Sequence, residues 1–414
     1  MIHIIGGGTV TLVRPHLQLC AYASGRTAIT LAEVCELYDR ERNEKHDDIK
    51  LHLTRMAGGD RKLHTVNDVG FLIDRLVEDR KTKMIFMPVA MCNYRGSIYL
   101  PEMVIRIEEQ EKMIRRIRKE RKDIYLVGFK QTHGMTEDDQ YLAGLSLLKA
   151  ASCNLVLAND DISRMNMIIV PEEARYSVTE NRLDALKELV KIAMIRSQGT
   201  FTRSEVFGGS ESIIKWDHPL IPDTFRKIIN HVIERGAYKP FGPRRATAGH
   251  FAVKIGENEF FTSIRGSNFN EMKGLVRVRT DLGDHEFGQH DRVVAYGARP
   301  SVGGRSQVIV FNKNREYDCI VHFHCEKKAG SLVPVASQRE FECGSHECGR
   351  NTADHLMKMG NLSCVYLDNH GPNIVFHRSI NPQEVIDFIE ANFDLSRKTG
   401  GSVNQTRRGQ ERQG

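Results

Sequence analysis

The segment DCIVHFHC, Asp318–Cys325, sets two histidines one residue apart inside an apolar run. The run reads as a β-strand, and residues i and i+2 of a strand project from the same face. His322 and His324 would therefore stand side by side on a stiff backbone, as a metal site requires. A structural zinc site has four protein ligands, and a catalytic one has three with an open position. The third candidate is His370 in YLDNHGPNIVF, Tyr366–Phe376, at the end of another strand. His346 competes. With Cys343 and Cys348 in FECGSHECGRN it could form a separate cluster, but no fourth ligand is near, and buried small residues are the plainer reading.

Around this segment the chain keeps a strand-like character. After one helix, PDTFRKIINHVIERG, come the runs HFAVKI, EFFTSI, LVRVRT, RVVAYG, SQVIVF and SCVYLDNH. Two later helices, NTADHLMKM and PQEVIDFIEANF, would cover the resulting sheet. Residues 221–396 therefore read as an α/β/α domain. The tail 397–414 has almost no apolar residues and is expected to be disordered.

The first half has a different rhythm. MIHII, IKLHLTRM, KMIFMPVAM, IYLVGF and CNLVLAND are short apolar runs, as strands buried on both faces require. Segments with helical spacing separate them: RTAITLAEVCELYDRE, VNDVGFLIDRLVEDRK, EEQEKMIRRIRKER and TEDDQYLAGLSLLKAA. The alternation predicts a doubly wound, Rossmann-like parallel sheet over 1–197, with ligands beyond the C-terminal strand ends. The turn-rich stretch 198–220 is expected to be a linker.

Composition bounds the function. Apolar residues make up 40% and charged residues 27% of the 414, ordinary for a globular protein. No apolar run reaches the ~18–20 residues of a membrane span, and no signal pattern opens the chain, so a cytoplasmic protein is expected. Nine cysteines, an odd number, argue for reduced thiols. Cys20, Cys35, Cys92 and Cys153 read as packing residues. A net charge of +6 suits phosphorylated small molecules as well as nucleic acid. The basic run IRRIRKERKD lacks interleaved aromatics and reads as a solvated helix face with Glu partners.

Four motifs in the first half carry a resemblance. IIGGGT, Ile4–Thr9, puts three glycines after the first strand, where backbone N–H groups can approach a phosphate. ASGRTA, Ala23–Ala28, opens a helix. VAMCNYRGS, LVGFKQT and LKAASCNLVLANDD follow in order. Together they resemble the phosphopantothenoylcysteine synthetases, with their Ala-Val-Ala-Asp-Tyr and Val-Gly-Phe-Lys-x-Glu-Thr motifs. The resemblance implies a fold that binds CTP or ATP and activates a carboxylate for coupling to an amine. It implies a nucleotide over Gly6, Gly7, Gly8, Thr9, Ser24, Gly25, Asn93, Gly128, Phe129, Lys130, Asn159 and Asp160. Two family acids are amides here, Asn93 and Gln131, and the loop after the Val-Arg step is longer.

The second half resembles the class II aldolase/adducin family. ATAGHFAVKI, EFFTSIRGSNFNEM, ARPSVGGRSQVIVF, CIVHFHC, CGSHECGRNTADHL and LDNHGPNIVF follow its motifs in order. In that family the two strand histidines and the Asn-His-Gly histidine bind Zn2+ or another divalent ion, which polarises a carbonyl beside a sugar phosphate. The resemblance thus assigns the metal to His322, His324 and His370. It implies phosphate contacts from Thr247, Ser263, Gly266, Asn268 and Ser301. His250 replaces the family Asn of that region, and Arg265 adds a charge suited to phosphate or carboxylate. The family acid/base Glu is Gly303 here, and a downstream His is Gln307. Candidates for the proton carrier are His250, Glu326, Glu342 and His346. Adducin-type relatives lose the three histidines; this chain keeps them.

Two functions are open. One is a bifunctional enzyme, joining a nucleotide-dependent, synthetase-like domain to a metal-dependent, aldolase-like lyase acting on phosphorylated carbonyl compounds. The other is a non-catalytic binding or scaffold protein built on degenerate copies of both folds. Both resembled families are oligomers, so a homo-oligomer is expected; no membrane or nucleic-acid partner is.

Overall fold

The computed structural model describes the chain apart from residues 15, 43–47, 100–103, 110–111, 242–244, 273, 281–291 and 400–414. Two compact units emerge. The first is Met1–Pro171 with Arg175–Ser197; the second is Gln198 onward with Glu172–Ala174.

In the first unit the five expected runs pair in parallel. Ile2–Gly6 lies between Ile49–Leu53 and Met84–Met87, and Tyr125–Thr132 and Leu155–Asp160 continue beyond Met84–Met87. Their chain order across the sheet is 2-1-3-4-5, a doubly wound arrangement whose direction of winding reverses between the first and third strands. Two antiparallel strands, Asn166–Ile169 and Arg175–Thr179, extend the edge. Central strands buried on both faces explain the unbroken apolar runs: Met84–Met87 is buried throughout. The helices are α1 (Arg26–Arg42), α2 (Val66–Glu78), α3 (Ile114–Glu120), α4 (Glu137–Ala151) and α5 (Arg182–Arg196). Thr65 starts α2 with a reciprocal capping box to Asp68, and Asn181 caps α5. Hairpins Thr9–Arg14/Leu17–Ala21 and Tyr94–Tyr99/Val104–Glu109 stand outside the main sheet. The sequence reading passed over both. The first hairpin is half exposed along its length, so it carries no buried-strand pattern. Cys20, expected in the core, is exposed on it, whereas Cys35, Cys92 and Cys153 are buried.

Arg115, Arg116, Lys119 and Lys122 of the basic run are exposed, as a solvated helix face requires, while some of its arginines also tie down neighbouring loops. Arg118 donates to the carbonyls of Ser152, Lys122 and Ile124, Arg121 pairs with Asp123, and Arg116 with Asp74.

The second unit is a three-layer α/β/α sandwich, as expected. Among the described residues its sheet runs Arg203–Phe207, Arg292–Tyr296, Leu275–Arg279, Glu259–Ser263, His250–Gly256, Cys319–His322, Gly371–Phe376, Leu362–Leu367 and Val335–Ala336. Helices α6 (Asp223–Glu234) and α9 (Pro382–Asn392) bury Phe225, Ile229, Val385 and Ile389 in one core. On the other side α7 (Val302–Lys313) contributes Val308, Val310 and Phe311, and α8 (His346–His355) contributes Ala353.

Three expectations change here. SQVIVF, read as a strand, is the body of α7. Gln307–Phe311 is buried without interruption, so neither a helical nor a strand period shows in it. The stretch 198–220 is no bare linker, because Arg203–Phe207 forms the sheet edge, paired in parallel with Arg292–Tyr296. The expected tail begins too early. Phe393–Lys398 is a strand paired with Cys325–Lys327, and Thr399 is buried; residues 400–414 lie outside the described part. Among the described residues no helix is long and apolar enough to cross a membrane.

A pair of histidines ties two strands of the first unit. His3 Nδ1 lies 3.0 Å from His52 Nε2, and the rings stack. Burial, then the neighbouring His52, pushes His3 down to about 4; burial also lowers His52. Both are neutral in the folded chain at pH 7, against about 6.5 for an unfolded histidine. Their contribution is present above about pH 6.5 and is lost as pH falls from there toward 4. Thermal melts should show the first unit losing stability between pH 6.5 and 5, and His3→Gln should flatten that slope. An unchanged slope in the variant would remove the pair from the account.

Candidate metal centre

His322 closes the strand Cys319–His322, and His324 lies two residues on, just past the strand end. His370 sits in the turn between Leu362–Leu367 and Gly371–Phe376. The hairpin of these two strands pairs with Cys319–His322, in register His322↔Asn373, which brings His370 to the same end. One ring nitrogen from each of the three histidines lies within 4.8 Å of the others. Ring centroids are 5.0, 4.6 and 4.8 Å apart for the three pairs. All three side chains are buried.

The backbone is shaped for this approach. Gly371 has φ +128°, and a Cβ there would fall 2.2 Å from the Phe323 carbonyl oxygen and 3.2 Å from His324 Cα. Only glycine lets the two ligand-bearing segments pass so closely. Thr399 then joins them: its N–H donates to the His324 carbonyl at 3.2 Å and its hydroxyl to the His370 carbonyl at 3.2 Å. No pattern in the sequence singles out this residue, which falls in the polar stretch expected to be disordered.

The donor set fits a divalent metal. His322 Nδ1–H donates to the Pro372 carbonyl at 2.8 Å, which fixes the tautomer and leaves Nε2 as a lone pair. That Nε2 is buried without a hydrogen-bond partner. Burial pushes His322 down to about 4, against the opposing pull of the Pro372 carbonyl, so the imidazole is neutral at pH 7. Three imidazole ligands suit zinc and other first-row ions.

His250, opposite His322 in the neighbouring strand, has its ring 4.7 Å from that of His322. Its Nδ1 meets the Gln307 amide nitrogen, and Gln307 Oε1 accepts from the Thr262 hydroxyl. His250 and Gln307, two of the three departures from the resembled motif, are thus one contacting pair. Burial, then His322, holds His250 well below the ordinary histidine value. His250, Gln307, Cys343, His370 and Asn373 line a cavity of about 10 Å³, room for one water-sized molecule.

Other candidates are otherwise engaged. His346 has Thr200 Oγ1 at Nδ1 (3.1 Å) and Thr202 Oγ1 at Nε2 (2.8 Å). These two contacts clamp the Gln198 end of the unit. Cys348 packs against Gln338, so no second metal cluster forms with His346 among the described residues. Glu326 pairs with Arg397 at 3.0 Å. Glu342 precedes α8 and does not line the cavity.

The expected phosphate residues divide. Thr247 and Asn268 hold their own loops: Thr247 Oγ1 bridges Ser267 and Phe269, and Asn268 caps Asn270 and meets Glu271. Gly266 turns the loop at φ +70°. Ser301 N–H donates to the Ser263 carbonyl, and Arg265 N–H to the Arg299 carbonyl. Ser263 Oγ is buried without a partner. Burial, then the like charge of Arg299, lowers the Arg265 guanidinium from its ordinary value. Arg299, which the sequence reading missed, makes this loop pair cationic.

In the first unit a cleft of about 340 Å³ opens beyond the C-terminal ends of the central strands, at the reversal of winding. Asn93, Phe129, Lys130 and Asn159 line it, as the nucleotide reading requires, and so do Lys112 and Arg182, which that reading missed. The glycine turn does not line it. Gly7, φ +102°, packs on Thr54, and Gly6, Gly8 and Gly25 sit equally tight on Ala28, Met56 and Ala57. The Thr9 hydroxyl donates to the Ala90 carbonyl and accepts from Cys92 N–H. Gly128 is buried, and Ser24 is exposed at the mouth of α1. Asp160 binds its own loop. Burial alone would raise it, yet donors from Met135, Ser163, Thr132 and Ile162 hold it well below the usual carboxylate range.

No protein-family model matches this chain, and no curated protein matches it. Solved structures resemble each half. The DNA/pantothenate metabolism flavoprotein from Streptococcus pneumoniae is 15% identical, covering 47% of this chain and 98% of its own, with a TM-score of 0.39. The C-terminal domain of the coenzyme A biosynthesis bifunctional protein CoaBC is 15% identical over 47% of this chain and 94% of its own, at 0.35. An L-fuculose 1-phosphate aldolase is 18% identical over 41% of this chain and 82% of its own, at 0.30. These are likenesses of fold, with one kind of neighbour for each unit.

Elemental analysis of protein purified without chelator should find about one divalent ion per chain, absent from His322→Ala/His324→Ala. Thr399→Ala should keep the metal but bind it roughly tenfold more weakly, the low end for outer-shell partners of metal ligands. Equal affinity in Thr399→Ala would show that the ligand segments hold their spacing without it.

Proposed function

We propose that the second unit is a divalent-metal-dependent lyase of the class II aldolase type, acting on a small phosphorylated carbonyl compound. We propose further that the first unit binds a nucleotide, CTP or ATP, in a ligase-like role, so that the chain serves successive steps on phosphorylated intermediates. The observation that carries the lyase reading is the convergence of His322, His324 and His370, with the buried Nε2 of His322 left without a partner.

His322, His324 and His370 would hold the ion, most simply Zn2+. Bound there, the ion supplies Lewis-acid polarisation of a carbonyl oxygen. His250 is the proton carrier in this reading. Its Nδ1 is engaged by Gln307, so Nε2 is the atom left to hold or deliver a proton. It takes over from the carboxylate that Gly303 lacks. Ser263, Arg265 and Arg299 would take the phosphate. The register Ala252↔Thr262 sets Ser263 opposite Phe251, on the other face of the sheet from His250 and one residue away along the strand. Two neighbouring guanidiniums with no acidic partner among the described residues favour an anion between them.

A second reading is a non-catalytic binding protein. The engagement of Glu326 and His346 and the small cavity favour it, since one proton-handling group is left beside the histidines.

A panel of phosphorylated aldehydes and ketoses should show turnover that requires the reconstituted ion. His250→Ala should lower kcat by at least about 100-fold, the range for a general acid/base, with metal content unchanged. Arg265→Ala should mainly raise KM. Full metal loading with no turnover of any member of the panel would favour the binding-protein reading.

A further inference from the structure

The cleft of the first unit is electrically one-sided. Lys112, Lys130 and Arg182 line it, and among the described residues no carboxylate does, although Glu109 lies 3.9 Å from Lys112 and Asp161 accepts from the Gln131 amide at 3.3 Å. Arg182 opens α5, and its guanidinium donates to Asn166 Oδ1 at 2.7 Å and Thr27 Oγ1 at 3.4 Å, both neutral. Neither Arg182 nor Lys130 has an acidic partner among the described residues. Burial lowers Arg182 to about 10. A cation withdrawn from water without a counter-charge is unfavourable by itself, and an anionic ligand would supply the missing partner.

The same lining is poor for a divalent cation. Mg2+ sites are built on one or two carboxylates together with phosphate oxygens. At the two places where the resembled motifs carry acids, this cleft presents the amides of Asn93 and Gln131. Amides can donate to phosphate oxygens but bring no negative charge to a metal. Lys130 and Arg182 do for a phosphate what a chelated ion would otherwise do.

We propose that this cleft binds a phosphate-ester anion of nucleotide size directly, without a divalent cation. The proposal rests on reading the cleft as the nucleotide site and specifies the form of the ligand that it takes. Mg2+ in solution then competes with the cleft for the same oxygens, so binding is strongest when the metal is removed.

The test is calorimetric titration of the full chain with CTP and with pyrophosphate, in EDTA and in excess Mg2+. Both probes should bind in EDTA, with Kd rising several-fold in Mg2+. Arg182→Gln and Lys130→Gln should each raise Kd about tenfold or more, as loss of a charge-assisted contact implies. Lys130 is half-exposed, so its variant serves where Arg182→Gln does not fold. CTP binding only with Mg2+ would overturn the proposal and leave the nucleotide site standing. Binding in EDTA that neither variant weakens would place the anion elsewhere and overturn it. No binding of either probe under either condition would overturn both readings.

Discussion

Three imidazoles buried in one place are the constraint on which the second unit depends. Each brings polar nitrogens into a core that excludes water, an arrangement that costs free energy unless the nitrogens find partners. The chain supplies one such partner in the Pro372 carbonyl, which accepts from His322 Nδ1. It leaves His322 Nε2 facing the other two rings without one. A cation there would turn that cost into binding energy. The supporting features follow the same logic, for Gly371 removes a side chain where two backbones must nearly touch, and Thr399 ties the carbonyls of two ligand segments together.

The two units share a pattern of lost acids. In the first, Asn93 and Gln131 present amides at the cleft; in the second, no carboxylate among the described residues lines the cavity beside the histidines. Cations and histidines remain in both: Lys130 and Arg182 in one, the histidine cluster with Arg265 and Arg299 in the other. Sites stripped of acids but rich in positive and neutral nitrogen donors favour anionic ligands. Phosphorylated small molecules satisfy both.

Much of this was legible in the sequence, for identifiable reasons. Parallel strands buried on both faces leave unbroken apolar runs, so the five parallel strands of the first sheet could be read from MIHII to CNLVLAND, while their order could not. The pairing of His322 and His324 follows from strand geometry, although the strand ends at His322. SQVIVF failed because a helix buried on all sides has no period to read. The glycine turn carries two meanings that the sequence does not separate. Gly6, Gly7 and Gly8 are needed for packing on Ala28, Thr54 and Met56, and the same residues in sequence would serve a phosphate loop. Thr399, Arg182 and Arg299 were invisible because their roles depend on contacts between segments distant in the chain. His346 shows the converse: a motif-like setting, FECGSHECGRN, resolved by two threonines about 145 positions away.

The central claim is that His322, His324 and His370 together hold one metal ion. The most direct measurement is a crystal structure with anomalous diffraction recorded at the absorption edge of the ion found in the protein. The account predicts a single strong peak about 2.0–2.1 Å from one nitrogen of each of the three imidazoles, with a coordination position left open. No peak among these rings in protein shown to carry metal, or a peak beside Cys343 and His346 instead, would contradict it.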